Sequence, residues 1–295
     1  MNSSHKGMLY IFLSAILLST GGLFIKFVQA EPLTIVALRS GIAGLTLLPF
    51  LRVKQIKLKA PTLVYILAYT VMMVSFVTAT KFTTSANTVA LQYTGSLYLF
   101  LYGVKRKQIK VRVGNVMPML LIIIGIGAFL LEPSKGHSLA GNILAVISGI
   151  SLATMFGILP RIKDIPTVSL VCISNLTIFI LVFPWLLPYR NSLAISMQGW
   201  MAVTYLGIVQ VALSYILNTK GVQLTSSLYS MVLAMLEAVL NPIWVFIFIG
   251  EVPTNYGFVG IAMILSAVLL NIFQQIRYEK QHVLVQYDES KSMET

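Results

Sequence analysis

Ten apolar stretches of about membrane-spanning length follow one another with only short gaps, and no other feature constrains this chain as much. They run 8 to 29, 32 to 51, 61 to 80, 86 to 104, 113 to 131, 138 to 159, 166 to 187, 197 to 218, 225 to 249 and 255 to 276. A hydrocarbon core takes about 20 helical residues to cross. In lipid each backbone N–H and C=O must be satisfied within its own segment, so every stretch is expected to be α-helical. Residues are 57% hydrophobic and only 10% charged, against about 25% charged in an average soluble domain. The expectation is an all-α polytopic membrane protein whose function is built inside the bundle, because no gap leaves room for a domain outside it. The first stretch is too long for a signal peptide and lacks a small-residue cleavage site, so it is read as a retained helix.

A net charge of +12 would suggest nucleic acid in a soluble chain, but here the placement of the basic residues excludes that partner. With the N-terminus cytoplasmic, Lys6, the Arg52 to Lys59 group, the Lys105 to Arg112 run, Arg161, Lys163, Lys220, Arg277, Lys280 and Lys291 all fall inside. The outer side receives Lys81, Lys135 and Arg190, and Lys26 and Arg39 fall within spans. This is the positive-inside pattern, with both termini cytoplasmic. Trp185, Trp200 and Trp244 fall in the outer halves of their spans, where an interfacial belt would place them. The polar tail, residues 278–295, is expected to be disordered. A single cysteine, Cys172, gives neither a disulfide framework nor a Cys-based metal site.

The ninth stretch carries Glu237 near its middle. An ionised side chain at the bilayer centre costs at least roughly 2.5–3.5 kcal/mol on insertion scales, so it faces a partner or a wet interior rather than lipid. Asn241 lies one turn on and precedes Pro242, which removes an amide donor. The pattern reads as a broken helix beside a cavity, against the plainer reading of a protonated Glu tying two helices together beside a proline kink. Two roles are open for the acid: a proton site coupling transport to the proton gradient, or a fixed charge recognising a substrate ammonium group.

The halves echo each other. TTSANTVALQYTGS (83 to 96) and TSSLYSMVLAMLEA (225 to 238) both open on hydroxyl residues and run into a helix, and Lys26 before Pro32 is echoed by Arg161 before Pro166. Five spans per half insert the second copy from the opposite face, the inverted repeat of many secondary transporters. The expected division is 1–134 and 135–277.

The TSAN and LQYT junction, the order Lys26, Pro32, Arg39, and the pairs Leu236-Glu237 and Gly250-Glu251 resemble the EamA-type drug/metabolite transporters over nearly the whole chain. The resemblance implies a ten-helix basket around a central cavity between the halves, and export of small metabolites with amino acids a common class. The chain departs from the pattern at Ala238 and Ser96, where the family often has proline, and at the basic run from Lys105, where it usually has an acid.

Candidate binding or coupling residues are Glu237, Lys26, Asn87, Thr94, Tyr98, Gln210, Ser230 and Asn241. Lys26 and Arg39 lie close enough to the outer end to snorkel, or one of them lines the vestibule and meets a substrate carboxylate or an acid. Lys26 is favoured for that role. The polar stripes of the fourth, sixth and eighth spans equally suit interhelical glue, as small polar residues in lipid usually do.

His5, His137 and His282 lie outside the spans, no HExxH motif is present, and no GxxxxGK[ST] loop supports a nucleotide-driven pump. Neither an enzyme nor a cofactor is implied. The reading is a secondary transporter of a bacterial cytoplasmic membrane, monomeric or homodimeric, moving a small molecule by alternating access with protons as the candidate coupling ion. A passive channel is the alternative, and a receptor is disfavoured for want of a signalling domain.

Overall fold

The structure is a computed structural model that describes residues 3–105, 113–131, 138–186, 193–224, 236–270 and 273–274. Among the described residues the secondary structure is helical throughout. Six helices are long and apolar enough to cross a membrane: His5–Phe27, Pro32–Phe50, Ala60–Phe82, Leu139–Arg161, Thr167–Leu186 and Met197–Leu224. The fourth run is split into Ser85–Tyr93 and Gly95–Lys105. The fifth is Val113–Leu130, and Leu236–Ile249 and Asn255–Leu270 follow as the ninth and tenth.

Proline places several of these helices. Pro32 and Pro61 sit in first turns, where a missing N–H costs nothing because those amides have no intrahelical partner. Pro118 and Pro242 stand inside their helices, and the chain stays helical through both. The ninth helix is therefore not broken at Pro242 as the sequence suggested. A proline deletes a single amide donor and adds a local clash, and the apolar run on either side carries the helix past it.

Breaks fall elsewhere. The first span is interrupted at Thr20, where the Ser19 and Thr20 hydroxyls donate to Ile16 and Leu17 carbonyls at 2.6 and 2.7 Å. Hydroxyls that take backbone carbonyls in this way bend helices. Thr94 does the same in the fourth span, donating to Leu91 O at 2.6 Å. In the eighth span Leu206–Leu213 is wound as a π-helix, a form that is rare and often marks functional sites.

Helix pairing has a hidden order. The third span packs on the sixth and the first on the eighth; the fourth packs on the sixth and the first on the ninth. Moving five places along the chain converts the first pairing of each couple into the second. The second span packs on the seventh, a pair that maps onto itself, as does the fifth with the tenth, where a Cβ on Gly125 would lie 3.1 Å from the Gly260 carbonyl. The halves are thus related by a pseudo-two-fold, and the main apolar cluster, from Ile25 through Tyr69 and Leu170 to Ala238, is drawn from both.

Large apolar side chains such as Leu67, Ile180 and Phe248 point outward, as lipid-facing positions should. Trp185 and Trp200 are both exposed. Trp244 is half-buried, and its Nε1–H donates to Ser19 Oγ at 2.9 Å, between the ninth and first spans.

Candidate functional site

Two polar assemblies lie between the halves, one at the end of the bundle away from the N-terminus and one deep inside. The end assembly starts from helix termini. Gly250 closes the ninth helix with φ of 76°, the left-handed turn for which glycine is suited, and Glu251 follows it. Lys26, in the last turn before Phe27, reaches Glu251 Oε2 at 2.7 Å and donates to the Thr83 carbonyl at 2.8 Å. The other carboxylate oxygen of Glu251 accepts the Ser85 N–H at 2.6 Å, at the N-terminus of the fourth span, where an anion is favoured by the helix dipole. The Ser85 hydroxyl donates to Asn241 Oδ1 at 2.6 Å.

Four segments thus converge: the first span, the third-to-fourth junction, the ninth helix and its end. Gly22 makes the approach feasible, because a Cβ there would collide with Ser85 Oγ and Asn241 Oδ1. Lys81 adds a donor to the Val28 carbonyl at 2.6 Å. The side chains of Lys26 and Glu251 are only 18% and 17% exposed, so their attraction is less screened than that of a surface pair.

The opposite end is tied more loosely. Asp164 meets Lys59 and Lys57 at 3.4 and 3.6 Å, with all three side chains at least half exposed. The hydrogen bond from Lys59, and then the Lys57 charge, hold the Asp164 carboxyl below its ordinary range. The exposure of all three side chains leaves this tie open to solvent and weakened by salt.

The deep assembly is centred on Arg39, which is 3% exposed. It does not snorkel. Its Nη2 donates to Gln210 Oε1 at 2.9 Å, and Gln210 Nε2 donates to the Leu18 carbonyl at 3.2 Å, beside the interruption of the first span. Gln210 belongs to the π-helical stretch, and Gly207 one turn earlier lets that stretch press on the second span: a Cβ there would lie 3.0 Å from the Arg39 carbonyl. The π-turn, the first-span break and the second span are joined through one amide side chain.

Among the described residues, Arg39 Nε and Nη1 have no hydrogen-bond partner. A guanidinium carries five N–H donors, and leaving buried donors unsatisfied costs about 1–3 kcal/mol each, more for charged groups. Around it stand Tyr69, Tyr215 and Glu237, all within electrostatic reach. Tyr69 Oη accepts from Asn175 Nδ2 at 2.9 Å, and the Asn175 Oδ1 atom is itself buried without a partner among the described residues.

Glu237 lies roughly 20 Å along the helix axis from Glu251, at the usual helical rise. Among the described residues it makes neither a hydrogen bond nor an ion pair. Glu237, Tyr93 and Tyr215 are half-buried, and each keeps part of its surface accessible.

The remaining candidates scatter. Lys26 and Asn241 belong to the end assembly, together with Asn87, whose amide reaches Thr83 Oγ1 at 3.5 Å. Gln210 and Glu237 belong to the deep one. Thr94 is taken up in the helix break, and Tyr98, one turn on, is half-buried. Ser230 lies outside the described residues. The stripe on the sixth span acts as glue: Ser148 accepts from Gln92 at 2.7 Å and donates to the Met72 carbonyl at 3.3 Å.

Sequence reasoning left Tyr69, Asn175 and Tyr215 unmarked. Each sits in a plain apolar helix, and only its partner across the bundle distinguishes it.

A helical membrane fold of two pseudo-symmetric halves, tied by an ion pair at one end and with polar side chains between the halves, is an architecture that suits a membrane transporter. The model of the EamA-like transporter family matches this chain twice, over residues 5–131 and 139–273, and the chain belongs to that family, a ten-helix membrane fold. An uncharacterized transporter of Archaeoglobus fulgidus is 26% identical over 262 residues, 88% of this chain and 94% of its own length. One crystal structure shares the fold with a TM-score of 0.64 at 16% identity, over 90% of this chain and 96% of that one.

Proposed function

We propose that this protein is a secondary transporter exporting small metabolites, amino acids or related compounds, across a bacterial cytoplasmic membrane by alternating access. Both termini lie on the cytoplasmic side, where the basic loops collect. The substrate occupies the hollow between the halves, and rocking of one half against the other exposes it to each face in turn. One observation supports this reading: Glu237, without a direct partner among the described residues, is half-buried in the ninth span, while the Lys26–Glu251 pair ties the two halves together at one end. A glue residue would be partnered, and a permanently open pore would not be shut.

Glu237 acts as the proton-coupling site. A carboxyl held by no fixed partner exchanges its proton as the hollow faces either side, whereas a carboxylate locked in an ion pair would not. The experiment is transport in proteoliposomes loaded with a metabolite mixture. Wild type is expected to show accumulation driven by a pH gradient and saturable counterflow. Glu237→Gln is expected to lose the first and keep the second. Wild-type pH response in the variant would remove Glu237 from coupling, and non-saturating flux without counterflow would indicate a channel.

A further inference from the structure

The cation best placed by sequence to meet a substrate carboxylate is Lys26, but its ammonium group is already taken. It holds Glu251 at 2.7 Å and the Thr83 carbonyl at 2.8 Å. Arg39 is in the opposite condition, with a fixed charge, 3% exposure and, among the described residues, one hydrogen bond and no partner for Nε and Nη1.

We propose that the Arg39 guanidinium, oriented by Gln210, is the point at which this protein reads a carboxylate on its substrate. The inference rests on the transport reading above only in assuming that a solute enters the hollow.

Three observations support it beyond the unpaired donors. Gln210 is fixed at both ends, accepting from Arg39 and donating to the Leu18 carbonyl, so it aims the guanidinium rather than competing for a ligand. The π-helical turn bearing Gln210 is a local distortion, and its evident product is this contact. Glu237 lies within electrostatic reach of Arg39 without forming an ion pair with it, so among the described residues no carboxylate closes on the guanidinium. An Arg fork matches the planar carboxylate in a way an ammonium does not.

In the arrangement described here the free donors are shut from water, so a carboxylate reaches them as the hollow opens. Burial of the guanidinium strengthens a charge-assisted hydrogen bond made there.

The test uses purified full-length protein in nanodiscs and a panel of the common α-amino acids, their deaminated acids, their decarboxylated amines and small neutral sugars. Binding is read as a ligand-induced rise in melting temperature and by competition. The tightest ligands are expected to carry a carboxylate, with the matching amine weaker by roughly tenfold to a hundredfold. Arg39→Gln is expected to erase that difference, with partial rescue in Arg39→Lys. Lys26→Gln is expected to alter the affinity for all ligands alike and leave the preference standing.

Amines or sugars binding as well as carboxylates, no binding of any carboxylate, or a preference surviving in folded Arg39→Gln would overturn the assignment. Folding is checked by an unliganded melting transition, and if Arg39→Gln does not fold, the same comparison is made in Arg39→Lys, where an unchanged preference overturns the proposal. The two readings fail separately. Flux indifferent to carboxylates leaves the transporter without this subsite, and carboxylate binding lost in Arg39→Gln without any flux leaves the subsite without the transporter.

Discussion

At the scale of single residues the interior is organised by two charges that the protein does not neutralise directly. Burying a charge is tolerated when it is paired or hydrogen-bonded, and Arg39 has one such bond, from Nη2 to Gln210. Gln210→Leu should therefore do more than remove a hydrogen bond, because it strands the remaining donor in the core. A loss of about 2–4 kcal/mol is expected from the bond to a charged group and the desolvation left behind, read from thermal or denaturant unfolding in detergent. Gln210→Glu supplies a formal counter-charge and should recover much of that loss.

Glu237 was legible in the sequence because a carboxyl within an apolar run needs a reason. The partner of Arg39 was not, since Gln210 lies 171 residues away and nothing local connects them. Trp244 shows the converse: a depth that suits a belt also suits an indole donating inward to Ser19.

At the scale of elements, the informative features are the places where helices depart from regularity. The stretch LGIVQVAL reads as an ordinary apolar helix, and its π winding is visible only in three dimensions. Pro242 announced a break that did not occur, while Thr20 and Thr94, which give weaker signals, mark real ones. A hydroxyl can either decorate a helix or bend it, depending on what the neighbouring helix needs, so spacing alone could not decide.

The tie between Lys26, Glu251 and Ser85 yields an element-level expectation. Lys26→Gln leaves Glu251 with only the Ser85 amide, and the end of the bundle should open more often. In a Cys172→Ala background, a cysteine at Ala86, 4% exposed in the sealed arrangement, should react with a membrane-impermeant maleimide several-fold faster when Lys26→Gln is present. Equal rates would show that the pair does not hold this end shut.

At the scale of the whole molecule, hydropathy and helix period made the ten spans readable, since lipid leaves a chain few alternatives. The pairing of spans was not readable, because most helix–helix contacts here join residues far apart in sequence. Given that pairing, five places of displacement reproduce it, and an odd number of crossings per half sends equivalent helices in opposite directions. Tags at the two termini should then be protected together and exposed together when intact cells and inside-out vesicles are treated with protease. Protection of one tag alone would leave an odd number of crossings and dismantle the two-fold relation.

The two-fold does not extend to the charges. One end is fastened by a shielded ion pair, and the other by pairs that solvent and salt loosen. Equilibrium flux is indifferent to such lopsidedness, since gradients alone set its direction. The clock of the cycle is not indifferent. An idle molecule should rest with the fastened end shut, so the slow half of each turnover becomes the unfastening, and a solute helps most if its arrival lowers that barrier.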